Sequence, residues 1–260
     1  MKIFSFRPKN GLNFGDELGP YIVKHILNHL NLKFYPTNCD INFFSIGSVI
    51  HFSKHEDIVW GSGINGKVSL PINQISKNYL AVRGPRTQHV LRSHGLNCPS
   101  TFGDPAILLP KFYKPNLNKF SQDKILVIPN YNDFLKISID FKKYSSDEFV
   151  LLHPFTHFQT VIDFIASAKT LITSSLHAKI IGDCFGVPNS ILGGNGYAEN
   201  IFKYVDYIEG IGHSPVEISP DIKTSLNNIH NPLTISTEIT DRLINAFPKE
   251  LFHANWFPKL

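Results

Sequence analysis

Four short stretches of this 260-residue chain carry side chains able to do chemistry, and each stands where a strand-like run gives way to a helical one. The most suggestive is "SSLHAKIIGDCFGVP", residues 174–188. Ser174 and Ser175 stand at a helix start, and either hydroxyl can cap it. His177 follows within the first turn, on the side that carries Ile180, Ile181 and Cys184. A histidine on an apolar face is most often a hydrogen-bonded core residue. At a helix N-terminus, where free N–H groups and the macrodipole favour anions, it has a second use. A bound phosphate there would hold His177 protonated and ready to act as a general acid, with Lys179 as a nearby cation.

The other three stretches could hold a ligand. In "NGLNFGDELGP" (10–20), Gly15 lets the backbone approach closely, and Asn13 and Asp16 flank it. The plainer reading is that Asp16 caps the helix and Asn13 makes a turn. No GK[ST] follows and the glycines do not read GxGxxG, so neither nucleotide motif applies. "WGSGI" (60–64) reads first as a tight packing turn. "AVRGPRT" (81–87) ends a strand on Arg83 and opens a helix with Arg86. Two guanidiniums so placed make an anion clamp, because arginine grips carboxylate and phosphate bidentately. The alternative is a structural ion pair and a solvated arginine. Asp104, in "GDPAILLP" (103–110), reads as a helix cap that orients one arginine.

The elements that must position these residues alternate. Strands are expected at 2–6, 42–50, 57–64 and 78–82, with helices at 19–30 and 85–94 and a short helix or turn at 104–109. Pro20 suits a first turn. Residues 110–123, with two prolines and no period, read as a linker. The alternation resumes with strands at 124–129, 147–154, 170–174 and 187–192. Helices are expected at 156–168, 176–186, 199–208, 221–229 and 236–247. Such a pattern predicts an α/β fold of two Rossmann-like domains, 1–118 and 119–260, facing a cleft. The clamp would lie on the first domain and the His177 helix on the second, with the last helix packing back on the first. Ligands of open α/β sheets sit beyond the carboxyl ends of the strands, which is where the four stretches fall.

Composition narrows the class. The chain is 42% hydrophobic and 18% charged, with net charge +4. That suits a globular protein with an anionic small-molecule partner, and no block of basic residues points to nucleic acid. Cys39, Cys98 and Cys184 are far apart and form no CxxC pair, which disfavours disulfides or zinc and fits a reducing compartment. The opening residues hold too short an apolar run for a signal peptide, and no apolar segment is long enough to span a membrane. A cytoplasmic location is expected, free or peripheral at the inner membrane face. The tail 247–260 gathers Phe252, Trp256 and Phe257, most simply to cap the first domain.

Taken in order, "NFGDELGPYIV" (13–23), "SIGSVI" (45–50), "WGSGI", "AVRGPRT", "GDPAILLP", "SSLHAKIIGDCFGVP" and "KYVDYIEGIG" (203–212) resemble the polysaccharide pyruvyl transferase family. The resemblance covers about residues 1–212. It implies a glycosyltransferase-B-like fold and transfer of an enolpyruvyl-derived unit from phosphoenolpyruvate to a sugar, forming a pyruvate ketal on a cell-surface polysaccharide or its lipid-linked precursor. The chain departs from the family pattern at Asn130, where "IPHY" is common, at Ser175, where some branches have arginine, and at Ala178, commonly glycine. His153, at a strand end, is the candidate to replace the missing histidine.

The chemistry of such a transfer needs an acid for the methylene carbon, a base for two hydroxyl protons and fixed positive charge for two anions. His177 is expected as the acid and Arg83 as the anchor. Arg86, Lys179, Ser174, Ser175, Gly15 and Asp16 join Arg83 on the donor side, with Asn13, Asn130 and His153 toward the sugar. Phosphoenolpyruvate is a substrate, and no metal-ligand cluster or cofactor is called for. A nucleotide-sugar glycosyltransferase and a non-catalytic binding protein of the same fold are the alternatives, separable by donor binding and by turnover.

Overall fold

The computed structural model describes residues 1–9, 11–32, 40–120, 122–144, 147–194 and 196–252. They form a mixed α/β structure with two parallel sheets. The first runs in sequence order: β1 (Lys2–Ile3), β2 (Asn42–Phe44), β3 (Ile58–Trp60) and β4 (Asn78–Ala81). Helices α1 (Phe14–His29) and α2 (Pro85–Ser93) belong to this half. A 3-10 turn (Pro105–Leu108) and the short α3 (Leu109–Phe112) lead out of it.

The second sheet comprises β5 (Ile125–Ile128), β6 (Phe149–Leu151), β7 (Thr170–Thr173), β8 (Asn189–Leu192) and β9 (Ile218–Ser219), in the order β6-β5-β7-β8-β9. Its helices are α4 (Phe134–Phe141), α5 (Phe158–Ser167), α6 (Leu176–Cys184), α7 (Phe202–Gly210) and α8 (Ile222–Asn227), followed by α9 (Thr237–Asn245). The chain moves from β5 out to β6, then crosses back to place β7 on the other side of β5. The strand order therefore reverses between β5 and β7, and the crevice beyond their carboxyl ends is the place a Rossmann-like sheet offers a ligand. The residues that follow those two strands are Pro129–Asn130 and Ser174–Ser175.

Several elements differ from the sequence expectation. β1 and β2 stop at Ile3 and Phe44, because the apolar runs continue into loops that stack Phe4 on Phe44 (4.3 Å) and Phe6 on Phe52 (5.7 Å). α1 starts at Phe14, with extended Asn13 at its N-cap, so Gly15 and Asp16 are inside the helix and Pro20 lies mid-helix. Proline cannot donate to the carbonyl four residues back. The Ser5 hydroxyl takes that place, donating to the Asp16 carbonyl at 2.9 Å. The helix α4 lies in a stretch to which no element was assigned.

One large apolar cluster joins both halves. Phe14, Leu18 and Ile22 of α1 share it with Val161, Ile162 and Ile165 of α5 and with Ile180 and Ile181 of α6, all fully buried. α9 returns to the first half, where the Trp60 Nε1–H donates to the Leu243 carbonyl at 2.9 Å. Phe247 and Phe252 stack at 5.0 Å, and each meets Phe43 edge-on. Trp256 and Phe257 lie outside the described residues. No helix among the described residues is long and apolar enough to cross a membrane.

Candidate active site

α6 begins at the strand-order reversal. Ser175 is its N-cap and accepts from the Ala178 N–H (3.5 Å), while the Thr173 hydroxyl accepts from the Ser175 N–H (2.9 Å). Ser174 is fully buried; its hydroxyl accepts from the Asn130 N–H (2.8 Å) and its carbonyl from the Tyr204 hydroxyl (2.5 Å). Ser174 thus ties the two switch-point turns together, and the expected ligand contact from its side chain is corrected to this structural role. With Ala178 capped, the Leu176 and His177 N–H groups, which have no acceptor within their own helix, remain for a ligand.

A cavity of about 270 Å³ opens at this point. It is a little below the usual range for small-molecule sites, roughly 300–1,000 Å³. Asn13, Asp16, Ser48, Asn130, Ser175 and His177 line it, and the first turns of α1 and α6 both reach it. Two helix N-termini meeting at one cavity favour an anion.

His177 lies directly over Gly15. A Cβ built on Gly15 would stand 2.2 Å from the imidazole Nδ1, so the glycine is what lets helix and ring approach. The Nε2 edge points inward to Asp104, whose Oδ2 is 3.9 Å away. Both atoms are buried without a hydrogen-bond partner. Asp104 does cap the 3-10 turn, accepting from the Ala106 N–H at 3.0 Å, as its sequence context suggested.

Charge at the site differs from the expectation. Burial, with Lys203 and then Arg83 nearby, pushes the His177 pKa down to about 3, so the ring is neutral rather than held as imidazolium. Burial pushes the Asp104 carboxyl up to about 7, against the Ala106 hydrogen bond and the Arg83 charge. Burial likewise raises Asp16 to about 7, opposed by the Asn13 amide, which donates to it at 2.7 Å, and by Lys203.

The cations lining the cavity are Lys67 and Lys203, and sequence reasoning assigned a role to neither. Glu199 bridges them, 3.2 Å from Lys67 and 2.8 Å from Lys203. Burial works against the Glu199 charge, but Lys203, Lys67 and the Asn132 hydrogen bond together outweigh it and hold the carboxyl down to about 2. Lys203 itself is buried, which lowers its pKa against the pull of Glu199. The available signal was the i,i+4 Glu199–Lys203 spacing at the head of the "KYVDYIEGIG" motif.

Arg83 stands behind the cavity instead of pointing into it. Its guanidinium is fully buried; Nε pairs with Asp206 (3.0 Å), one terminal nitrogen donates to the Ile64 carbonyl (2.6 Å) and the other to the Ser48 hydroxyl. Asp206 also accepts from the Thr87 N–H (2.9 Å) and hydroxyl (2.7 Å). A Cβ on Gly84 would meet the Asp206 carbonyl oxygen at 1.8 Å, and one on Gly210 the Arg83 carbonyl oxygen at 2.3 Å. The "AVRGPRT" turn is therefore docked backbone-to-backbone on α7. The expected anion clamp is corrected to an internal ion pair whose one link to the cavity is Ser48.

Two further donor-side calls are corrected. Lys179 is fully buried and paired with Asp183 (2.6 and 2.8 Å), since an i,i+4 pair inside α6 satisfies both charges. Arg86 forms a forked pair with Glu209 on the surface (2.8 and 2.9 Å), away from the cavity. His153 is also outside it. It lines an adjoining aromatic trough, its ring 4.3 Å from Phe134 and 5.2 Å from Phe155, and its Nδ1 accepts from the Phe155 N–H.

Two parallel Rossmann-like sheets, with a cavity over a strand-order reversal and a histidine backed by a carboxyl, place the protein in the Rossmann-like α/β class. Within that class, the chain belongs to the polysaccharide pyruvyl transferase family, whose model matches residues 13–195. That match runs from the N-cap of α1 through α6 and β8. Family membership makes the protein a transferase with a pyruvyl transfer role on polysaccharides. Among curated proteins, no sequence matches the chain. A crystal structure of an uncharacterized protein from Klebsiella pneumoniae subsp. pneumoniae superposes with TM-score 0.53 at 15% identity, over 84% of this chain and 92% of that one. A UDP-GlcNAc 2-epimerase of Methanocaldococcus jannaschii, in complex with UDP-GlcNAc and UDP, gives TM-score 0.47 at 14% identity, over 92% of this chain and 84% of that one. At this identity the Klebsiella likeness speaks for the fold alone.

Proposed function

We propose that the protein moves the pyruvate skeleton of phosphoenolpyruvate onto two hydroxyls of one sugar in a polysaccharide or its precursor, forming a ketal. The observation that carries this reading is the placement of His177: an imidazole over Gly15 and backed by Asp104, at a cavity served by two helix N-termini and two lysines. We read the two halves as Rossmann-like domains meeting at this cavity in a glycosyltransferase-B-like arrangement, with the boundary near residue 118.

Lys203, Lys67 and the first-turn amides of α6 would hold the donor phosphate and carboxylate. A donor with this much negative charge counters the cations beside His177 and raises its basicity. His177 Nδ1–H gives its proton to the donor methylene carbon, and C2 becomes electron-poor. As that proton leaves, Asp104 closes from 3.9 Å to hydrogen-bond distance and passes its own proton to Nε2, so the ring ends neutral in the other tautomer and Asp104 ends ionised. The first sugar hydroxyl bonds C2 and loses its proton to Asp16, whose raised pKa suits a base near neutrality. Phosphate departs with the electrons of the C2–O bond and takes the proton held by Asp16. The second hydroxyl then closes the ketal and gives its proton to His177 Nδ1, as Nε2 returns its own to Asp104, which resets the site. Asn13 and Asn130 are positioned to orient the hydroxyls.

The test is incubation with phosphoenolpyruvate and a panel of sugar acceptors, following phosphate release together with acceptor mass. Phosphate release matched by ketal formation is expected. Transfer from a nucleotide sugar, with no release from phosphoenolpyruvate, would replace this reading.

A further inference from the structure

The helix α4 carries the two most exposed large apolar side chains among the described residues, Leu135 at 75% and Ile139 at 67%. They are four residues apart and so share a face. Lys142, in the 3-10 turn that continues the helix, extends that row, and Lys136 and Lys143 form the row beside it. Asp140 is the one acid between residues 134 and 144, and it pairs with Lys143 at 2.9 Å. The opposite face is anchored: Ile137 is buried in the core beside β5, and Phe134 packs on His153. The helix is thus held firmly with an apolar ridge facing out beside exposed lysines, of which Lys136 also reaches the Gly196 carbonyl (2.7 Å) and lies over the Tyr197 ring.

Its place in the fold gives the ridge a use. Leu135 forms the rim of an aromatic trough of about 490 Å³ lined by Tyr131, Phe134, His153 and Phe155. That trough shares Phe6, Tyr131 and Asn132 with the His177 cavity. The apolar ridge therefore stands at the edge of a trough that adjoins the reaction site.

We propose that α4 is an interfacial helix that seats the protein on an anionic lipid bilayer. Leu135 and Ile139 enter the headgroup–acyl boundary, and Lys136, Lys142 and Lys143 meet the anionic headgroups. Charge complementarity favours an anionic bilayer over a second copy of the chain, which would set the lysine rows of two α4 helices against each other. The seating serves a lipid-linked saccharide entering the trough from the membrane side. That purpose rests on the proposed transfer, but the contact is tested without turnover.

The experiment is sedimentation of the full chain with vesicles of equal parts phosphatidylglycerol and phosphatidylcholine, against vesicles of phosphatidylcholine alone. Binding to the anionic vesicles should be stronger by about tenfold or more and should fall as salt is added. The variant Leu135→Asp/Ile139→Asp should lose binding by about tenfold or more while keeping its thermal midpoint, because both side chains are exposed. Ile139→Asp alone, which leaves the trough lining intact, should keep phosphate release from phosphoenolpyruvate with a soluble acceptor, and absence of release in the parent protein would count against the transfer reading alone. The proposal is overturned by absent binding to anionic vesicles, or by equal binding of the variant. Light scattering that shows a dimer abolished in the variant overturns it in favour of a second copy.

Discussion

Replacing Gly15 by alanine tests the site with a single methyl group. The added Cβ would stand 2.2 Å from His177 Nδ1 and 2.8 Å from Cγ. Ordinary contact is at about 3.5 Å, so the ring must retreat by roughly 1 Å. It has little room, because its far edge faces the buried Asp104 carboxyl. A misplacement of that size can cost about 10²-fold in rate. The backbone itself loses nothing: Gly15 lies inside α1, has no positive φ, and alanine favours helix by about 1 kcal/mol. Gly15→Ala should therefore keep a thermal midpoint within a few degrees of the parent while phosphate release from phosphoenolpyruvate falls about a hundredfold. Turnover and midpoint are measured on the same sample. Full turnover in a folded Gly15→Ala protein would refute the placement of His177 as the proton donor.

Further variants separate the roles of the neighbouring groups. His177→Gln should fold and lose about two orders of magnitude or more in turnover, which kinetics and calorimetry together decide. The His177–Asp104 pair also predicts opposite pH effects on stability. His177, lowered to about 3, stays neutral when folded but is protonated when unfolded, so its contribution is present at neutral pH and lost as pH falls from about 6.5 toward 3. Asp104, raised to about 7, stays protonated when folded but ionises when unfolded above about 4, so stability is lost as pH rises from about 4 toward 7. Asp104→Asn should accordingly flatten the fall toward pH 7 and His177→Gln the fall toward acid, read as thermal midpoint against pH. Lys203→Met should weaken phosphoenolpyruvate binding by about one to two orders of magnitude in calorimetry, and removal of its charge should raise the His177 pKa seen by NMR. Arg83→Ala breaks a fully buried ion pair and should cost about 3–5 kcal/mol in denaturant unfolding. An Arg83→Ala protein of normal stability but impaired donor binding would restore the anion-clamp reading.

Much of the fold was legible because its signals are local. Alternating strand and helix patterns, glycine stops and the Ser175 cap depend on residues within a few positions of one another, and they located seven helices of the structure and eight of its strands. The strand-to-helix turns pointed to Asn13, Asp16, Ser175 and His177, and the family pattern to Asn130; the structure brings these five to one cavity. The motifs also carried the family, since their order along the chain survives in the sequence.

Tertiary structure alone decided which charged residues face the cavity. Arg83 and Lys179 look like anion ligands in one dimension, and what removes them is a partner: Asp206, more than a hundred residues away, and Asp183, whose carboxylate is turned inward. Lys203 looks like an ordinary helix lysine until α7 is docked by Gly84 and Gly210, which brings it to the mouth of α6. The protonation of His177 was likewise invisible in its neighbours, because desolvation and the field of distant cations set it. Local sequence determined where backbone amides and an imidazole would stand. Long-range packing determined the charge they work in, because electrostatic energy depends on burial and on distances that sequence order does not encode.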